Sequence, residues 1–299
     1  IITVPTTVSH TTGMLFIDGG NNPANLSSPN DAWLRDIAVR SQSVVARLRQ
    51  VPNQPLTFAN DPLSLARTED AQIAYCWRQF LDAGGDPEDA IWLSRLPMTK
   101  SAVRAMDTVT AFCAGSGVGG HTVSTFVVSG ASKRGWTTWT TAAVDTRVVG
   151  LAPLVIDLLN MERSFVHHFE ALGRYADAVG DYTEHGILDF AGTPEYRRLQ
   201  DYVEPYSYRD RLTMPKFIMN ASQDQFFLPD SSQFYFDRLQ GEKHLRYVQN
   251  NDHSLTRTAD AAMDLEAWYT MLLNGTARPN ISWVKRDDGQ LEIDVLSGT

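Results

Sequence analysis

Three polar side chains of this 299-residue chain fall where a nucleophile, a base and an orienting acid would be needed. Ser132 sits in VVSGASKRGW, Val127 to Trp136, where a β-branched run meets a glycine and a helical pattern starts at once. A serine hydroxyl is a poor nucleophile until a base takes its proton. His253, in NNDHSL, is of the residue type that titrates near neutrality and suits that task. Asp224, in NASQDQFFLPDSS, would fix the imidazole tautomer and stabilise the imidazolium as it forms. Each of the three closely follows a predicted strand. In open α/β sheets the active site forms at the carboxyl ends of the strands, so three separate placements agree. Each also has a plainer reading: Ser132 as a helix N-cap, His253 as a surface-loop histidine, Asp224 as a loop cap. Asp230 and Asp252 are rival acids. Asp230 reads better as the N-cap of a helix from Ser231, and Asp252 adjoins the histidine and would point elsewhere.

The serine needs a particular setting. A strand running into Gly130-Ala131-Ser132 and straight into a helix is the context of a nucleophile elbow, and the chain order Ser, Asp, His is that of α/β-hydrolases. The turn is tight, so small residues must precede the serine. The helix that follows aims its N-terminus at the site, which places the Lys133 N–H to stabilise an oxyanion. A second donor is expected from the loop after GMLFID, and Gly20 N–H is the choice, with Asn21 close behind. The alternative for that loop is an ordinary glycine turn. The segment departs from the common Gly-x-Ser-x-Gly form: Arg134 stands where the second glycine is usual, and Gly135 comes one later.

The elements that must position these residues alternate along the chain. Predicted strands cover 1–8, 13–18, 55–58, 122–129, 148–156, 216–220 and 245–248, and predicted helices 31–49, 68–81, 99–112, 133–144 and 258–273. Alternation of this kind predicts an α/β fold, a mostly parallel sheet with helices on both faces, here one domain over 1–299. The stretch 158–210 breaks the alternation. It is helical and aromatic, and reads as a helical lid insertion over the strand ends, the alternative being a pair of crossover helices. Its Phe165, Phe169, Tyr175 and Tyr182 hint at an apolar or aromatic acyl pocket. The tail, 281–299, carries Asp287-Asp288-Gly289 between alternating runs and reads as a β-hairpin.

Composition narrows the function classes. The net charge is −9 and no Lys/Arg-rich run occurs, which argues against a nucleic-acid partner. No apolar run approaches the ~18 residues of a membrane span. No signal peptide is visible in a chain that starts at Ile1. Cys76 and Cys113 are expected to be buried free thiols, a disulfide being the alternative. Gly115 to Gly120 matches G-x-G-x-x-G but precedes a strand, so it reads as a helix-to-strand loop. His167 and His168, near Glu162 and Glu170, point about 100° apart on a helix and fit a lid surface better than a metal site. No metal and no cofactor is expected. Four N-x-[ST] matches, at Asn25, Asn220, Asn274 and Asn280, carry no weight.

The runs GASKRGWTTW, LLNMERSFVHHFEALGRYADAVGDYTEHGI, YVEPYSYRDRLTMPKFIMNASQDQFFLPDSS and LRYVQNNDHSL together resemble the PhoPQ-activated pathogenicity-related family. The likeness runs from Gly13 to about Val295. It implies an α/β-hydrolase-like fold and puts the family's serine, acid and histidine on Ser132, Asp224 and His253. Members usually carry more sequence at both ends, and bacterial members are often exported, which implies a secreted or periplasmic location. The elbow alone is also similar to that of glucuronoyl esterases, where Lys133 and Arg134 would favour an acidic acyl group. The leading expectation is therefore a serine hydrolase cleaving a small-molecule or polymer ester, with amide cleavage left open, through an acyl-enzyme. The rivals are a secreted binding or signalling protein on a hydrolase scaffold and a peptidase of the prolyl-oligopeptidase kind.

Overall fold

The structure, a computed structural model, describes residues 1–22, 32–59 and 61–297. The predicted helix start at Asp31, the Asn25 acceptor site and the last two residues of the tail lie outside these. Buried β-branched and aliphatic runs form the strands. In chain order these are β1 (Ile2–Thr3), β2 (Thr12–Ile17), β3 (Val45–Leu48), β4 (Thr125–Ala131), β5 (Val148–Leu154), β6 (Lys216–Ala221) and β7 (Lys243–Val248). They pair in the order β1-β3-β2-β4-β5-β6-β7. All pairs are parallel except β1 with β3. The chain leaves β2 for β3 on one side, then returns to place β4 on the other. That reversal is a topological switch point, and in open α/β sheets it opens a crevice at the strand ends.

Alternation along β2 shows how the two faces are covered. Met14 and Phe16 pack with residues of α1 (Ala32–Ser41) and α8 (Asp260–Leu273). Leu15 and Ile17 pack on the other face, with residues of α2 (Glu69–Ala83), α3 (Arg95–Cys113) and α4 (Lys133–Val144). The period of two is what a strand buried on both faces requires. Helices therefore lie on both sides of a mostly parallel sheet. Between β5 and β6 come α5 (Met161–Leu172), α6 (Gly180–Glu184) and α7 (Pro194–Val203), with short 3₁₀ turns between and after them. An exposed antiparallel hairpin, β8 (Asn280–Lys285) with β9 (Leu291–Ser297), closes the described chain.

Several boundaries differ from the sequence reading. The helix expected over 31–49 stops at Ser41; Gln42 adopts φ 51°, and Val45–Leu48 becomes β3. Val44, Val45 and Leu48 satisfy helical and strand spacing alike, and the parallel ladder with β2 decides between them. The first strand shrinks to two residues. The strand expected over 55–58 is a single bridge, Leu56 to Arg67. Cys76 and Cys113 are buried free thiols, and burial pushes the Cys76 thiol up to about 11.

Candidate active site

Ser132 occupies the sharp turn between β4 and α4 at φ 57°, ψ −125°. A non-glycine residue at positive φ costs ~1–3 kcal/mol and persists only where its surroundings fix it. Here the Ser132 N–H donates to Leu154 O at 2.8 Å, and the Trp136 N–H to Ser132 O at 2.9 Å. Glycines allow the close approach. A Cβ at Gly130 would lie 2.8 Å from Arg134 O and 2.9 Å from Ile17 O. One at Gly135 would lie 2.9 Å from Leu154 O and 3.0 Å from Gly130 O. Helix α4 thus meets the ends of β4 and β5 at residue 135, one position beyond the common pattern. Residue 134 is free to carry a long side chain.

His253 and Asp224 come from the loops after β7 and β6. The imidazole Nδ1 lies 2.8 Å from Asp224 Oδ2 and 3.0 Å from Oδ1. The Asp224 side chain is almost wholly buried, and its Oδ1 also accepts from the Phe226 and Phe227 N–H groups. The carboxylate is thereby held against the ring. His253 Nε2 is buried and makes no hydrogen bond. No hydrogen bond joins Ser132 to His253 among the described residues. What they share is a wall: Phe226 and Phe227 line the cavity beside Ser132, and their rings lie 4.2 and 5.9 Å from the His253 ring. The rival acids are used elsewhere. Asp252 bonds Ser254 and Arg257. Asp230 precedes the 3₁₀ turn Ser231–Phe234, but its side chain bonds His167 at 3.0 Å and makes no cap, a correction to the N-cap reading.

The sequence reading missed the acids that surround the elbow. Lys133 Nζ lies 2.9 Å from Glu69 and 2.7 Å from Asp70, and the Arg134 guanidinium grips both Glu69 oxygens at 2.7 and 2.8 Å. Burial pushes the Glu69 carboxyl up, but the Arg134 hydrogen bonds and the two cations outweigh it and hold it at about 2. Lys133 and Arg134 are therefore neutralised within the fold, and this pair is not free to receive an acidic acyl group. Buried Arg95 adds a further tie, donating to Lys133 O at 2.9 Å while stacked 4.5 Å over Trp136. A third missed acid is Asp157, just past β5, which accepts from Tyr235 Oη at 2.6 Å and from Tyr247 Oη. Burial, aided by the nearby Asp224 charge, pushes its carboxyl up to about 7 against the two tyrosine bonds. An aspartate directly after a strand was the available signal.

Two expected oxyanion donors can be placed. Lys133 is the first residue of α4, so its N–H has no acceptor within the helix. Gly20, at φ 125°, sits after β2 beside Arg49 and Gln50, whereas Gly19 lies against Arg134 and donates its N–H to Asp18. Asn21 Oδ1 accepts from Gln54, which also bonds Glu69, so one chain of contacts runs from the β2 loop to the elbow.

Among the aromatic residues of 158–210, Phe165 and Tyr182 line the Ser132 cavity. Phe169 is half exposed, and Tyr175 packs on Phe165 and Phe169 behind it. His168 is turned inward, accepting from the Ala176 N–H, rather than lying on the surface. No group of three His, Cys, Asp or Glu able to hold a metal occurs among the described residues. A much roomier cleft, about 850 Å³ along α5 and α7, does not include Ser132.

The comparisons with known proteins agree with this architecture. Acetyl xylan esterase from Paenibacillus sp. R4 superposes with TM-score 0.58 at 14% identity, over 89% of this chain and 76% of its own. Acetyl xylan esterase 1 from Thermoanaerobacterium sp. JW/SL YS485 gives 0.56 at 15%, over 90% and 76%. Est1E from Butyrivibrio proteoclasticus gives 0.52 at 11%, over 92% and 93%. At such identities the likeness establishes the α/β-hydrolase fold. In sequence, the chain is 41% identical over 303 residues to autocrine proliferation repressor protein A of Dictyostelium discoideum. It spans 59% of that relative's length. All of residues 1–299 match the model of the PhoPQ-activated pathogenicity-related protein family, and the chain belongs to that family.

Proposed function

We propose that this chain is a serine hydrolase that cleaves a carboxylic ester through Ser132, His253 and Asp224. The observation that carries the reading is the His253 ring, clamped at Nδ1 by a buried carboxylate with Nε2 left unpartnered at the rim that holds the strained serine. In this reading His253 Nε2 takes the Ser132 proton as Oγ attacks the ester carbonyl. The Lys133 and Gly20 N–H groups receive the oxyanion. The same imidazolium returns the proton to the departing alkoxide, and water then releases the acyl group by the reverse path. The missing Ser132–His253 bond fits a site whose catalytic contacts tighten only around substrate. Amide cleavage would use the same groups.

A second reading, a secreted signalling or binding protein on this scaffold, draws on the Dictyostelium relative, autocrine proliferation repressor protein A. One experiment separates the two. A fluorophosphonate probe with a methyl group on phosphorus should label the wild-type chain and leave Ser132→Ala unlabelled. Absence of labelling in both would refute the hydrolase and favour the binder.

A further inference from the structure

The cavity beside Ser132 holds about 30 Å³. A water-sized group needs ~10–15 Å³ of such space, so there is room for a methyl or an ethyl group. Its walls are largely apolar: Trp136 of α4, Ile156 and Leu158 after β5, Met161 and Phe165 of α5 and Tyr182 of α6 line it. They are also tied in place. Tyr182 Oη donates to Asp70 at 2.9 Å, and Asp70 holds Lys133 at the elbow, so this part of the wall is bonded to the residue next to the nucleophile.

The placement of this cavity decides which half of an ester it would take. Neither His253 nor Asp224 lines it, and the Phe226–Phe227 turn stands between it and the imidazole. A leaving alkoxide must collect its proton from His253 Nε2, so the alcohol half lies on the imidazole side. The acyl half is left to the cavity.

We infer that the pocket beside Ser132 selects acetyl or propionyl esters and rejects longer acyl chains. The inference rests on the hydrolase reading above and deepens it. Packed apolar walls yield poorly to added methylenes, so hexanoyl esters should fall at least ~10-fold below acetyl in kcat/KM. The test is a p-nitrophenyl ester series from acetate to octanoate on the whole chain, with Ser132→Ala as the blank. Phe165→Ala should raise the hexanoate-to-acetate ratio by roughly 10-fold, as the vacated ring volume admits the longer chain. Leu158→Ala, at another lining position, asks the same question should the first variant fail to fold.

A wild-type preference for hexanoate or octanoate overturns the inference. So does an unchanged ratio in both variants. If the fluorophosphonate probe labels Ser132 while long chains win, pocket size is refuted and the hydrolase stands. If no ester is cleaved and no label is taken, both fall together.

Discussion

Asp157 offers a measurement that does not depend on any substrate. Its carboxyl is buried just past β5 between two tyrosine hydroxyls, and burial lifts it from 3.8 to about 7. Between those values the unfolded chain has released the proton while the folded chain keeps it. The folded state binds more protons there, so its stability must fall as pH rises through that window and level off above it. At ~1.36 kcal/mol per pH unit, the rise corresponds to about 4 kcal/mol. Asp157→Asn is neutral throughout. Its amide can accept from one tyrosine and donate to the other, as the protonated acid does. The variant should match wild type near pH ~4 and exceed it by about 4 kcal/mol near pH ~8, read from urea unfolding at each pH. Glu204, also buried and pushed up to about 8, slopes the same way in both proteins, so it cancels in the difference. Parallel curves would refute the reasoning. So would a wild type that gains on the variant as pH rises, because the tyrosine bonds would then be holding the carboxylate ionised at ordinary acidity.

Two further outcomes test the candidate site and its frame. Asp224→Asn keeps an acceptor for the Phe226 and Phe227 N–H groups but presents an amide to His253, so kcat should fall by ~10⁴ with KM little changed. A drop below tenfold would remove Asp224 from the proposed machinery. Gly135→Ala would press a methyl onto Leu154 O and Gly130 O at 2.9 and 3.0 Å, both backbone atoms that cannot swing aside. Destabilisation of ~1–3 kcal/mol in urea, together with slower fluorophosphonate labelling, is expected. A variant as stable and as reactive as wild type would show that the elbow tolerates more room than its geometry implies.

The sequence disclosed those parts that short-range chemistry determines. Lys133–Val144 is a helix at the bounds its pattern predicts, because Asp145 and the β-branched run after it end the helical spacing. The meeting of Asp224 with His253 was also legible, since both are polar residues just beyond strands and strand ends share one rim. What escaped was decided at long range. Val45–Leu48 carries spacing that suits either element, and only β2 alongside it makes it a strand. Glu69 and Asp70 lie more than sixty positions before Lys133 and Arg134, and nothing local to either pair predicts the contact. Asp157 falls between the predicted strand and the predicted lid, and the two tyrosines that close over it come from distant segments.

The elbow shows why its departure from the common pattern is coherent. Shifting the glycine to residue 135 places the tight helix–sheet contact there and leaves residue 134 to reach across to the β2 loop. Arg134 then spans from Gly19 to Glu69, while Lys133 reaches Asp70, which in turn holds Tyr182 of α6. Two cations after the proposed nucleophile would suggest attraction for an anionic substrate. Paired with two acids, they instead join the loop that carries Gly20, the turn that strains Ser132 and the helix that walls the cavity. A salt bridge contributes little when exposed and much when losing one partner would strand a buried charge. Lys133 and Arg134 are both largely buried, so the second case applies. The charge pattern that reads as substrate specificity in the sequence is, in the folded chain, the means by which three separate segments hold one small site.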